Sequence, residues 1–68
     1  MDEETFNLSI RKFLKMVGIN SQREIEQAVN RSMADGSIAG REKFPAYVSL
    51  VVPGLKIEVK FDGEIKLE

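Results

Sequence analysis

The sequence contains no cysteine, no histidine and no tryptophan. Without cysteine there is no disulfide to staple a short chain, and no thiolate for zinc or redox chemistry. Without histidine the commonest general base near neutral pH is missing, and so is the commonest zinc ligand. Neither sign of charge dominates: ten basic residues stand against eleven acidic, for a net charge of -1. A dedicated non-specific nucleic-acid binder carries a basic excess, so that class starts behind. No apolar run approaches the ~20 residues of a membrane span. The opening "MDEETFNLS" is acidic and reads as the start of a helix, not as a secretory leader. These absences leave the expectation of a cytoplasmic chain that is not an enzyme and holds no cofactor or metal.

What is present is a strong pattern of periods. In the first third, Phe6, Ile10, Phe13, Leu14 and Val17 recur at intervals of three and four, which places them on one helical stripe. Asp2, Glu3 and Glu4 suit the positive end of that helix's dipole; Arg11, Lys12 and Lys15 lie towards its negative end. Gly18 reads as a stop, because glycine takes the left-handed C-terminal conformation cheaply. Ser21 followed by Glu24 reads as a capping box that starts a second helix. That helix carries Ile25, Val29 and Met33 on its apolar side and ends at Asp35-Gly36. "GSIAGREKFP", Gly36 to Pro45, reads as a loop.

The last third is rich in β-branched residues and alternates. "AYVSLVV", "LKIEVKF" and "EIKLE" read as three strands, with turns at Pro53-Gly54 and Asp62-Gly63. A four-residue first loop, Val52 to Leu55, sets Leu50 opposite Ile57 and Val48 opposite Val59. A bulged second loop, Phe61-Asp62-Gly63, sets Val59 opposite Ile65 and Ile57 opposite Leu67. Its other face then pairs Lys60 with Glu64, Glu58 with Lys66 and Lys56 with Glu68, each worth roughly 0.2–1 kcal/mol. The expected fold is α+β: two N-terminal helices packed on one face of a three-stranded antiparallel β-meander. The expected bounds are helices over about 3–17 and 22–35 and strands over about 46–52, 55–60 and 64–68, in a single domain 1–68.

Candidate chemistry is sparse. "VGINSQREIEQAV" has the outline of a helix-turn-helix reader. Its outward residues Arg23, Gln27, Asn30 and Arg31 would face a partner, although Glu24 and Glu26 flank them and repel phosphate. "GSIAGREK" lacks the spacing of a phosphate-binding loop, and no two carboxylates are placed for acid–base work. The first strand, Ala46 to Val52, has no charge and displays Tyr47, Ser49 and Val51 on its outer face. A bare edge of that kind invites another strand.

The run "FNLSIRKFLKMVGINSQREIEQAV", Phe6 to Val29, resembles a family of short bacterial proteins of unknown function, with "SQREIE" its most specific part. The resemblance implies a bacterial, single-domain, cytoplasmic protein and no catalytic residue. The leading expectation is a non-enzymatic interaction module that binds a protein partner or forms a homodimer through the first strand edge. The alternative is a small nucleic-acid-binding regulator using the helix-turn-helix-like segment 6–35.

Overall fold

A computed structural model describes all residues, 1–68. The chain forms α1 (Glu3–Ala34), β1 (Lys43–Val52), a single 3-10 turn (Pro53–Leu55) and β2 (Ile57–Lys66). It divides into two compact units, Met1–Asp35 and Gly36–Glu68. The class is α+β, but the expected two-helix, three-strand arrangement is overturned. One continuous helix replaces two, and one two-stranded antiparallel sheet replaces the meander.

The first unit is α1 alone, 32 residues long and therefore ~48 Å from end to end. Asp2 is its N-cap: backbone in the β region, with Oδ1 accepting from the Thr5 N–H at 3.2 Å. Gly18 does not stop the helix, and Ser21 and Glu24 lie inside it. The expected helices over 3–17 and 22–35 are thus joined, and the helix-turn-helix outline in 6–35 has no turn.

The physical reason is a comparison of costs. A glycine in a helix interior costs about 1 kcal/mol relative to alanine. Ending and restarting the helix strands four N–H and four C=O groups. A capping box recovers only part of that, at about 1 kcal/mol per cap. Asn20 fits the continuous helix by donating Nδ2–H to the Met16 carbonyl at 2.8 Å. The true stop is at Asp35-Gly36, as the sequence indicates: Gly36 adopts φ 77°, and the Asp35 N–H reaches the Arg31 and Met33 carbonyls.

The second unit is a hairpin. The register pairs Phe44 with Ile65, Ala46 with Gly63, Val48 with Phe61, Leu50 with Val59 and Val52 with Ile57. These side chains all share one face, because strand side chains alternate. The other face carries Pro45 opposite Glu64, Tyr47 opposite Asp62, Ser49 opposite Lys60 and Val51 opposite Glu58. The expected strands 55–60 and 64–68 are fused into β2, and Asp62-Gly63 is not a turn. Val59 therefore faces Leu50, and the expected Val59–Ile65 and Lys60–Glu64 pairs do not form.

Straight continuation wins because the period-two alternation of Ile57, Val59 and Phe61 resumes in phase at Ile65 and Leu67. It also gives Lys43, Phe44 and Pro45 partners, so β1 begins earlier than the expected residue 46. Gly63 interrupts the apolar row only opposite Ala46, where small meets small.

The connection between the strands is Pro53 to Lys56, one residue later than expected. It closes with the Lys56 N–H on the Pro53 carbonyl at 3.1 Å and Lys56 in the left-handed region at φ 56°. The resulting register keeps the expected faces but shifts the partners by two residues. Leu50 meets Val59 rather than Ile57, and Val48 meets Phe61 rather than Val59.

No residue of the chain is buried. On α1, Ile10 and Ile25 are each 39% exposed; on the hairpin, Phe61 is 58% exposed.

Two substitutions read out the two corrections. Gly18 is helical and has open space where a Cβ would lie. Gly18→Ala is therefore expected to stabilise the chain by about 1 kcal/mol in denaturant titration; a helix end at Gly18 would give destabilisation instead. Gly63 likewise has open space and a strand conformation. Gly63→Ala is expected to raise stability by about 0.5–1 kcal/mol in the same denaturant titration. A left-handed turn glycine would respond with the opposite sign.

Candidate interaction site

The sheet has only two strands, so each has one edge with no partner in the chain. Which residues present their N–H and C=O groups at those edges follows from a single bond. The Leu67 N–H donates to the Glu42 carbonyl at 3.1 Å. Residues 42 and 67 fall on the continuation of the ladder register, so they form a hydrogen-bonded pair. In an antiparallel ladder such pairs alternate with non-hydrogen-bonded ones. The hydrogen-bonded pairs are therefore the apolar ones, Phe44/Ile65 through Val52/Ile57. The residues between them turn their backbone groups outward.

On β1 the outward residues are Lys43, Pro45, Tyr47, Ser49 and Val51. On β2 they are Glu58, Lys60, Asp62, Glu64 and Lys66. The two edges thus differ sharply in chemistry. Every outward residue of β2 is charged, which is how natural sheets keep an edge from pairing. The β1 edge is neutral from Pro45 to Val51. Pro45 has no N–H to donate, and because its nitrogen faces away from β2 it costs the ladder nothing.

Tyr47, Ser49 and Val51 are thus brought together on one open edge, with Tyr47 67% and Val51 52% exposed. Lys60, expected opposite Glu64, instead lies over Tyr47. Its Nζ lies 4.4 Å from the Tyr47 ring centroid and 3.5 Å from Asp62 Oδ1. With these groups well exposed, each contact is worth at most about 1 kcal/mol. The signal for this cluster is the cross-strand neighbourhood of Tyr47, Lys60 and Asp62, which exists only once the register is known.

The other candidate residues, Arg23, Gln27, Asn30 and Arg31, are exposed on α1. Their spacing puts them within roughly 100° of arc on one helical face. They belong to the first unit and the β1 edge to the second.

The loop that opens the second unit, ahead of β1, is ordered by its own hydrogen bonds. The Glu42 carboxylate accepts from the Ala39 N–H at 2.8 Å, and from the Gly40 and Arg41 N–H groups at 2.9 Å each. Gly40 at φ 95° turns these amides to one side. In "GSIAGREK" the amides that a phosphate loop would offer are occupied by the chain's own glutamate. The Ala39 N–H above all holds the Glu42 carboxyl below its ordinary range; desolvation opposes it, and the backbone N–H groups of Glu42 itself, Arg41 and Gly40 add smaller help. The Thr5 backbone N–H does the same for Asp2 at the start of α1.

The fold and this edge describe a small α+β chain with one guarded and one open sheet edge. The chain belongs to a family of unknown function, DUF6494, which it matches over residues 1–68. Neither curated proteins nor solved structures give a match. No helix is long and apolar enough to cross a membrane.

A depressed carboxyl pKa stabilises the fold above the unfolded-state value, and that contribution is lost as pH falls through the folded-state value. Glu42 therefore contributes to stability at neutral pH, and that contribution is lost as pH falls through its depressed pKa, below the ordinary glutamate range. Glu42→Gln is expected to lower stability at pH 7 and to weaken its decline between pH 5 and pH 3, followed by urea titration at each pH. An unchanged acid limb would show that the carboxylate is not held by the loop.

Proposed function

We propose that the chain is a non-enzymatic protein-interaction module whose recognition element is the outer edge of β1. A partner adds an extended strand there. Backbone bonds to Tyr47, Ser49 and Val51 supply affinity, and the flanking side chains supply selectivity. The observation that carries this reading is the asymmetry of the sheet. Outward backbone groups lie on neutral residues along β1 and on charged residues all along β2. The exposed face of Arg23, Gln27, Asn30 and Arg31 is a second polar surface suited to the same class of partner. Lack of cysteine suits a reducing compartment, the cytoplasm. Nothing in the geometry favours the nucleic-acid alternative, since the turn on which it rested is helical.

Val51→Lys tests the reading without harming the hairpin, because residue 51 stands opposite Glu58 and lysine there gains an opposite-charge neighbour. Tagged full-length chain cross-linked in its native cell is expected to retain a protein, either another chain or a second copy, in stoichiometric yield. Val51→Lys is expected to lower that yield at least tenfold, about 1.4 kcal/mol. Equal capture by both forms, or recovery of nucleic acid that ignores residue 51, would overturn the proposal.

A further inference from the structure

We infer that the strand added to the β1 edge is β1 of a second copy of this chain, paired antiparallel about a two-fold axis at Ser49. This rests on the edge reading above and names its occupant. The first argument is proline placement. The chain has two prolines, Pro45 and Pro53, and both lie four residues from Ser49. Pairing β1 with its copy about Ser49 sets Tyr47 against the copy's Val51, Ser49 against Ser49, and Val51 against Tyr47. These are the residues whose N–H and C=O groups face outward, so each pair exchanges two hydrogen bonds.

The next outward pair is Pro45 against Pro53, where neither residue has an N–H and the ladder ends cleanly at both sides. A shift of two residues in either direction sets a proline against Val51 or Tyr47, and leaves a carbonyl without its donor. Proline position thus selects one register.

The second argument is side-chain complementarity. On the polar face the pairing puts an aromatic beside a β-branched residue (Tyr47 and Val51) and serine beside serine. Both combinations are favourable across strands. On the apolar face it puts Val48 beside Leu50 and Ala46 beside Val52, extending the hydrophobic surface without a break. No charge meets its like, because nothing between Pro45 and Pro53 is charged.

The third argument is closure. The product is a four-stranded antiparallel sheet in the order β2-β1-β1-β2. Both of its outer edges are charged β2 strands, so it does not extend further.

The chain's lack of cysteine makes the register directly readable. Sedimentation equilibrium of the full chain is expected to give twice 7.7 kDa at micromolar concentration. In the paired sheet the two Ser49 Cα atoms lie about 5.5 Å apart, within the range that a disulfide spans. Ser49→Cys is therefore expected to become a covalent dimer under mild oxidation, whereas Tyr47→Cys alone stays uncrosslinked because its counterpart lies ~14 Å away along the strand. Ser49→Pro removes an N–H that points away from β2, as Pro45 already does. It is expected to keep the hairpin and raise the dimer dissociation constant at least tenfold. Should that variant lose its hairpin, the cysteine pair still decides the matter.

A wild-type monomer at all concentrations overturns the inference, as does a dimer in which Tyr47→Cys joins and Ser49→Cys does not. A monomer that captures a different protein in a residue-51-dependent way overturns self-pairing and leaves the edge reading standing. A monomer with no such capture overturns both.

Discussion

The antiparallel ladder between Lys43–Val52 and Ile57–Lys66 is the constraint on which the second unit depends. It decides three things at once. The pairing sorts apolar side chains onto one face and polar ones onto the other. It fixes which residues spend their backbone groups inside the sheet, and so which turn them outward. Finally, it brings Lys60 across from Ser49, close enough to lie over the Tyr47 ring and touch Asp62. A register displaced by one residue would invert every one of these assignments.

The apolar pairs and the hydrogen-bonded pairs coincide in this hairpin, and that coincidence gives the edges their character. Because the polar-face residues turn their backbone outward, the chemistry of each edge is the chemistry of the polar face on that strand. On β2 it is an unbroken row of charge from Glu58 to Lys66; on β1 it is Tyr47, Ser49 and Val51 between two prolines.

Much of this was legible from residues alone. The interval of three and four in Phe6, Ile10, Phe13, Leu14 and Val17 announces a helix, and Asp35-Gly36 announces its end. The alternation after Pro45 announces strands with one greasy side, and the neutral run from Ala46 to Val52 announces an open edge. What misled was local punctuation. Gly18, the Ser21–Glu24 spacing and Asp62-Gly63 are all sound boundary signals over a window of four to six residues. Each is overruled by an element that extends well beyond that window. A helix already nucleated continues through one glycine at about 1 kcal/mol. A strand with ten cross-strand partners continues through a turn-like pair.

The sequence by itself therefore determined the kinds of element, their amphipathic faces, and the absence of charge along β1, because periodicity and composition are properties of neighbours along the chain. Only the folded structure decided that α1 is one rod, that β2 runs through Gly63, and that Tyr47, Ser49 and Val51 are the residues whose backbone faces outward. The first depends on the cost of breaking a whole helix, the other two on which distant residue each one pairs with, Val48 with Phe61 and Leu50 with Val59. Pairing across a sheet is settled by the sum of all its partners, a quantity that no short stretch of chain contains.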